Sequence, residues 1–136
     1  PRGNGVSVPV LSLDEFFADR TRQPIHFIKC DVEGHELSVF QGGESILTTD
    51  RPVLLFECER RHHLNNQIDS VFQYLQSLNY DGFFFTRRSM KPLEAFDPSA
   101  NQDPVSSDYV YNFSFVPRRL VCGNGRRSAY LNQGQR

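Results

Sequence analysis

Residues 27–36 read FIKCDVEGHE, and this stretch decides the fold that the sequence predicts. An apolar run changes within three residues into a group of acids around Gly34. The run from Ile25 to Val32 is nearly all apolar, which is typical of a strand covered on both faces in a parallel sheet. Glycine is a common residue at the end of such a strand. We therefore expect a buried strand with acids at its carboxyl end.

A second stretch repeats this arrangement. Pro52 precedes the run Val53 to Glu59, which again changes from apolar to acidic. Between the two runs, apolar residues recur at three- and four-residue steps from His35 to Thr49 and predict a helix, with Gly42-Gly43 as a weak point or a place of close packing. A strand, helix, strand succession of this kind forms a right-handed crossover with both acidic strand ends on one sheet edge. Open α/β folds bind ligands at that edge.

The rest of the chain adds further predicted elements. We expect a strand over residues 6–13, a short helix from Leu13, a helix over 68–78, a strand over 83–86 and a last strand over 109–116. A loop of about twenty residues separates the last two strands, and loops of this length are more often functional than structural. The order of elements predicts an α/β fold whose sheet is parallel at its centre.

Composition limits the function classes. A chain of 136 residues is long enough for one domain, and a net charge of -1 gives no overall attraction to nucleic acid or membrane. No apolar run approaches the roughly 18 residues of a membrane span. Three cysteines without CxxC spacing favour a reducing compartment, the cytoplasm first. Residues 118–136 contain five arginines and no acid, and we expect a basic, flexible tail; nucleic-acid binding through it is the less favoured alternative.

The acids of the first strand end have two interpretations. A carboxylate at this place can accept a proton from a hydroxyl or hydrogen-bond a ribose or an amine, and we favour such a role for Asp31. Glu33 and Glu36 have an equally good structural explanation, since acids complement the positive end of a helix dipole by under about 1 kcal/mol each.

Other polar groups near the strand ends give weaker signals. The spacing of the acids and His35 does not aim their side chains at one point, so we expect no metal site. His62 and His63 beside Arg60-Arg61 are either solvated or contacts for an anionic ligand. Lys29, a charge within the first strand, is better explained by a structural ion pair than by a substrate contact.

The motifs carry a family resemblance. The succession VLSLD at 10–14, FIKCDVEGHEL at 27–37, QGG at 41–43 and RPVLLFE at 51–57 resembles the carboxyl-terminal half of the FkbM family of S-adenosylmethionine-dependent methyltransferases. The Lys-x-Asp-Val-Glu-Gly-x-Glu block is its most specific part. The resemblance extends more loosely through Val116.

This resemblance implies a fold and an activity. The fold is a Rossmann-like class I methyltransferase sheet with parallel central strands and an antiparallel terminal hairpin. The activity is O-methylation of a small-molecule or sugar hydroxyl with S-adenosylmethionine as cofactor. Asp31 and Glu33 are the implied catalytic residues, and Asp31 also contacts the cofactor. Glu36, Glu57 and His62 are the expected contacts of the small-molecule acceptor.

One part of the family pattern is missing. The glycine-rich cofactor loop and the ribose-binding acid belong to the amino-terminal half of the family, and Gly3-Asn4-Gly5 does not replace them. We therefore expect residues 1–117 to be the carboxyl-terminal part of a methyltransferase domain, active together with its other half. An uncovered sheet edge would then favour self-association. The alternative is a non-catalytic remnant or binding module that uses this edge and the long loop.

Overall fold

The computed structural model of the protein describes residues 6–18, 23–62 and 68–118. Within these residues lie five α-helices, namely α1 (Leu13–Phe17), α2 (Glu36–Gln41), α3 (Glu44–Thr49), α4 (Ile68–Ser77) and α5 (Pro98–Asn101). The same residues contain five strands, namely β1 (Phe27–Cys30), β2 (Val53–Glu57), β3 (Tyr80–Phe85), β4 (Met90–Pro92) and β5 (Asn112–Pro117). Short 3₁₀ helices cover Arg60–His62 and Leu93–Ala95. This content confirms the predicted mixed α/β class.

The described strands form one sheet in the order β1-β2-β5-β3-β4. β1 and β2 are parallel, with Cys30 opposite Phe56, and α2 and α3 form the crossover that parallel neighbours require. β5 lies between β2 and β3 and is antiparallel to both. The predicted antiparallel terminal pair is thus confirmed as β3 and β5. Of the predicted parallel arrangement, the described strands contain one pair, at an edge of the sheet.

Helix α1 is fixed at its start by polar contacts. Ser12 and Glu15 form a capping box, in which the Ser12 hydroxyl accepts the Glu15 N–H and the Glu15 carboxylate accepts the Ser12 N–H at 2.9 Å. The Asp14 carboxylate accepts hydrogen bonds from the backbone N–H groups of Ser45 (2.8 Å) and Ile46 (3.1 Å), so it caps the start of α3. These contacts dock α1 on the crossover.

Gly42 and Gly43 divide the crossover into two helices where we predicted one over residues 35–49. A Cβ atom at Gly42 would lie 3.1 Å from Cβ of Ser12, and one at Gly43 would lie 3.1 Å from Cδ1 of Leu13. Such contacts are tighter than ordinary van der Waals packing, so the two glycines admit the start of α1. The close packing that their sequence suggested is therefore present.

Aromatic rings fill the core between the sheet and α4. The rings of Phe72 on α4 and Phe113 on β5 have centroids 4.8 Å apart, and Phe56 of β2 lies 5.6 Å from Phe115 by the same measure. All four side chains are buried. Tyr80 at the start of β3 is also buried, and its hydroxyl donates to the Leu47 carbonyl oxygen at 3.0 Å. This cluster fixes β2, whose carboxyl end leads into the candidate site.

The predicted strand over residues 6–13 is wrong. Residues 6–12 form no strand, and the alternating Val6, Val8 and Val10 are 86%, 69% and 89% exposed. No described strand pairs with this segment. Its alternating apolar side chains therefore do not belong to one face of a sheet. Ser12 and Leu13 instead begin α1.

The predicted strand over residues 25–32 is shorter and less covered than expected. β1 contains four residues, of which Cys30 alone is buried and Phe27 is 54% exposed. β1 has one neighbour, β2, among the described strands. A strand with one neighbour and an open face cannot be covered in the manner of a central parallel strand.

The segment between β3 and β5, residues 86–111, contains more regular structure than predicted. It includes β4, the 3₁₀ helix Leu93–Ala95 and α5, whose start is capped by the Asp97 carboxylate. β3 begins at Tyr80, three residues before its predicted start, and β5 covers Asn112–Pro117. Of the predicted tail, residues 119–136 lie outside the described residues, as does His63.

Candidate functional site

The carboxyl ends of β1 and β2 border a small cavity, which we call the acidic pocket. Its volume is about 220 Å³. The lining side chains belong to the residues that follow the two strands or end them: Asp31, Glu33, Glu57, Glu59, Arg61 and His62. The structure thus brings together four of the five predicted site residues and leaves Glu36 outside the lining.

Asp31 follows the last residue of β1 and is half exposed. Its Oδ2 atom lies 3.3 Å from Nζ of Lys29, and the two side chains are 47% and 53% exposed. The ion pair that we predicted for Lys29 therefore lies at the surface, because β1 has an open face. Surface pairs of this kind contribute about 0–1 kcal/mol, so Lys29 orients Asp31 more than it stabilises the fold.

A tight turn follows Asp31 and sets the direction of Glu33. Glu33 has φ of 47° and Gly34 has φ of 97°, both in the left-handed region. A Cβ atom at Gly34 would overlap the backbone carbonyl oxygen of His62. Glycine is therefore required twice at this position, by its conformation and by the close approach of the neighbouring chain.

Glu36 stabilises this turn by a hydrogen bond between its side chain and the backbone of the turn. Its side chain is 1% exposed, and its Oε1 atom accepts a hydrogen bond from the Gly34 N–H at 3.0 Å. It also lies in the first turn of α2, as the helix-dipole explanation requires. This location supports a positioning role, and the acceptor contact that we expected from Glu36 stays a prediction.

A larger groove adjoins the acidic pocket, and we call it the loop groove. Its volume is about 760 Å³, within the range of sites for drug-sized ligands. It shares Glu57, Glu59 and Arg61 with the acidic pocket. Its other lining residues are Arg60, Gln102, Pro104, Tyr109 and Tyr111. The segment between β3 and β5 therefore supplies one wall of a groove that leads into the acidic pocket.

Gln102 holds that wall in place. Its buried side-chain amide donates to the carbonyl oxygens of Cys58 (2.8 Å) and Val110 (2.9 Å). Its Oε1 atom accepts the backbone N–H of Arg60 at 2.8 Å. One side chain thus joins the end of β2, the following 3₁₀ helix and the residues before β5.

Glu59 lies at the border of the loop groove and the acidic pocket. Its Oε1 atom lies 2.9 Å from Nη2 of Arg61. Burial first, and then the nearby Glu59 carboxylate, raise the pKa of Tyr109. The contact with Glu59 raises the pKa of the Arg61 guanidinium. The Arg61–Glu59 ion pair and the neutral Tyr109 phenol therefore lie together at the border of the two cavities.

Gln102, Tyr109 and Tyr111 were not predicted as site residues from the sequence. A glutamine in a polar loop carries no signal of its own, since the partners of Gln102 become neighbours only in the fold. The tyrosines had a weak signal, because they flank Val110 at the start of a predicted strand. The sequence shows that Glu59 and Arg61 are charged residues close after β2, but no role could be predicted for them from it.

The two described cysteines are unsuited to nucleophilic chemistry. Cys30 and Cys58 are both buried, and burial is the main cause that raises the pKa of each thiol, that of Cys30 to about 11. The nearby Glu36 carboxylate raises both further. A thiol with so high a pKa is protonated near neutral pH, and these two act as core residues.

The described part of the chain contains no group of three or more His, Cys, Asp or Glu side chains arranged to hold a metal ion. No helix within residues 6–18, 23–62 and 68–118 is long and apolar enough to cross a membrane.

Residues 2–81 match the family described as Methyltransferase FkbM domain. The match covers more than half of the chain and contains every residue of the acidic pocket. Gln102, Tyr109 and Tyr111 lie beyond it, as does the predicted extension of the resemblance through Val116. Neither a curated protein nor a solved structure matches the chain. The match confirms the resemblance that the motifs indicated, and the chain belongs to the FkbM methyltransferase family.

Proposed function

We propose that the protein takes part in S-adenosylmethionine-dependent O-methylation of a small-molecule or sugar hydroxyl, with the acidic pocket as the place of methyl transfer. One observation carries this proposal: the carboxylates after β1 and β2 line one pocket within the residues that match the methyltransferase family. Methyl transfer to a hydroxyl needs precise positioning of both reactants and a way for the hydroxyl to lose its proton, and a carboxylate at this edge is a suitable proton acceptor.

The charges of the acidic pocket fit the cofactor at its reactive end. S-adenosylmethionine, when bound, supplies an electrophilic methyl group on a positively charged sulfur. Four carboxylates face Arg61 and His62 in the pocket, a balance that favours a cation. The volume of about 220 Å³ is below the range for a whole drug-sized ligand, so these residues suit the charged end of the cofactor and leave the rest to other surfaces.

Asp31 and Glu33 have different roles at the reacting hydroxyl. The half-exposed Asp31 carboxylate would accept the proton of the acceptor hydroxyl, and the bound cofactor would supply the methyl group, which leaves its sulfur. Glu33, fixed by the strained turn at Gly34, orients the positively charged end of the cofactor and the acceptor. Glu57 and His62 hydrogen-bond the acceptor from the β2 side of the pocket.

This function is tested by the turnover of variants in which a carboxylate of the acidic pocket is replaced by the corresponding neutral amide. The assay measures the S-adenosylhomocysteine that forms when the protein, in its full domain context, is incubated with S-adenosylmethionine and a panel of hydroxylated acceptors. Asp31→Asn is expected to lower kcat by about 10²–10⁴-fold, the range for a lost general base. Glu33→Gln should also lower turnover, whereas Glu94→Gln, an exposed acid on the 3₁₀ helix Leu93–Ala95, should not. Unchanged turnover in Asp31→Asn would remove the assigned base.

The alternative function, a binding module, has support of its own at the other side of β1. β1 has no partner on its outer edge among the described strands, and Phe27 is 54% exposed. Open edges of this type pair with other chains, so self-association through β1 is the expected behaviour of such a module. Sedimentation at rising concentration tests it: Ile28→Pro should abolish dimer formation, whereas Lys91→Pro in the opposite edge strand β4 should not.

A further inference from the structure

Most residues that line the loop groove have no role in the proposed methyl transfer. Resting on that proposed function, we infer that the loop groove holds the body of the acceptor and selects an uncharged, hydroxyl-rich molecule of several rings, an oligosaccharide in chemical terms. Its residues Arg60, Tyr109 and Tyr111 then determine acceptor specificity, the buried Gln102 holds their wall in place, and the acidic pocket receives the reacting hydroxyl.

The charges of the loop groove favour a neutral ligand. Glu57 and Glu59 are balanced by Arg60 and Arg61 along its lining. The Glu59 carboxylate already holds the Arg61 guanidinium at 2.9 Å. A charged ligand finds no net opposite charge and must compete with this pair, whereas a hydroxyl can donate to a carboxylate and accept from a guanidinium at once.

The two tyrosines supply the apolar part of the groove. Tyr109 and Tyr111 flank the buried Val110, and the Tyr111 side chain is 42% exposed. An exposed ring gives a ligand a broad apolar surface at low cost in side-chain entropy. Sugar rings combine a C–H face with hydroxyl edges, so they suit aromatic faces bordered by carboxylates and guanidinium groups.

The position of the groove links it to the reaction. It shares Glu57, Glu59 and Arg61 with the acidic pocket, so a ligand in the loop groove reaches the pocket with one end. Its volume of about 760 Å³ has room for more than a single sugar ring. The wall formed by Gln102, Tyr109 and Tyr111 lies beyond the family match, as expected for a loop that sets the specificity of one member.

Binding of trisaccharides of matched size and different charge tests the inference without any methyl transfer. The full chain is titrated with maltotriose and cellotriose, with trigalacturonate as the anionic probe and with the glucosamine trimer as the cationic probe. Backbone and side-chain amide shifts are followed by NMR. At least one neutral trisaccharide should saturate shifts at Gln102 and Tyr111 with a Kd at least ten-fold below those of both charged probes. Tyr111→Ala should weaken this binding at least five-fold, whereas Tyr74→Phe, on α4 and outside the groove lining, should not change it.

Two results would overturn the inference. One is tighter binding of either charged probe, and the other is an absence of saturable shifts at the loop groove with both neutral trisaccharides. Because no cofactor is added, these results are independent of the proposed catalysis. Neutral binding without any turnover would instead contradict the methyl-transfer proposal and leave the groove assignment in place.

Discussion

The backbone of Gly34 lies directly against the carbonyl group of His62, so the turn after β1 is packed on the 3₁₀ helix after β2. This contact brings Glu33 and His62 to the same pocket although they are far apart in the chain. The acidic pocket therefore depends on the absence of a side chain at position 34.

Gly34→Ala tests the contact. Alanine at φ of 97° is strained, and its Cβ would overlap the His62 carbonyl oxygen. Strain and overpacking together should lower the free energy of unfolding by roughly 2–4 kcal/mol, measured by urea denaturation. Ser38→Ala, an exposed change on α2, is the control and should stay within about 0.5 kcal/mol of the parent. A Gly34→Ala variant as stable as this control would disprove the packed turn.

Gln102 should be the most sensitive residue of the segment between β3 and β5. Gln102→Leu leaves the Arg60 N–H and the carbonyl oxygens of Cys58 and Val110 without their side-chain partner. Buried unsatisfied groups cost about 1–3 kcal/mol each, so we expect a loss of several kcal/mol in urea denaturation. Gln76→Leu on the exposed side of α4 is the matched control.

The same position offers a test by pH. In Gln102→Glu the ionised carboxylate still accepts the Arg60 N–H but cannot donate to the two carbonyl oxygens. Protonation restores one donor, so the stability deficit relative to the parent should shrink as the pH falls from 7 to 4. A deficit that stays constant over this range would argue against the donor role of the Gln102 amide.

Arg51 should stabilise the end of α4 through its planar guanidinium. Nη1 donates to the Leu78 carbonyl oxygen at 2.7 Å and Nη2 to that of Asn79 at 2.9 Å, and the group lies 4.9 Å from the centroid of the Tyr80 ring. Arg51→Lys keeps the charge but not the fork geometry or the stacking, and should cost about 1–3 kcal/mol in thermal or urea unfolding. Arg87→Lys in an exposed turn should be neutral, and equal effects of the two changes would contradict this role.

Cys30 and Cys58 should resist alkylation while the protein is folded. A pKa of about 11 for Cys30, against an ordinary value of 9.0, lowers its thiolate fraction at pH 8 by about 100-fold, and burial slows the reaction further. In a Cys122→Ser background, iodoacetamide should therefore label the native chain at least 100-fold more slowly than the chain in urea. Rapid labelling of either thiol in the native protein would mean that the core opens at β1 and β2.

Elements were predicted correctly from the sequence where their signal comes from residues that are close together in the chain. The apolar periodicity of α4 and the change from apolar to acidic residues after β1 and β2 predicted these elements and the meeting of their acids. The helix start at Leu13 was also predictable, since its acid-rich first turn is a local signal. The family motifs lie on these same elements, which is why the resemblance could be stated from the sequence.

Other features depend on contacts between distant residues and could not be predicted. The alternation of Val6, Val8 and Val10 suggested a strand, but a strand needs a neighbour, and no periodicity shows whether one exists. The division at Gly42-Gly43 follows from the docking of α1, and the wall of the loop groove follows from the three partners of Gln102. The exposure of β1 likewise follows from its place at an edge of the described sheet.

The central claim is that the acidic pocket receives the charged, methyl-bearing end of S-adenosylmethionine. Calorimetric titration of the protein in its full domain context, as the parent and as the Asp31→Asn variant, with S-adenosylmethionine and with S-adenosylhomocysteine, which lacks the methyl group and the sulfonium charge, tests it most directly. We predict that Asp31→Asn weakens binding of S-adenosylmethionine about five-fold or more, equivalent to about 1 kcal/mol, and leaves binding of S-adenosylhomocysteine nearly unchanged. Equal effects on both ligands, or no binding of S-adenosylmethionine by the parent protein, would contradict it.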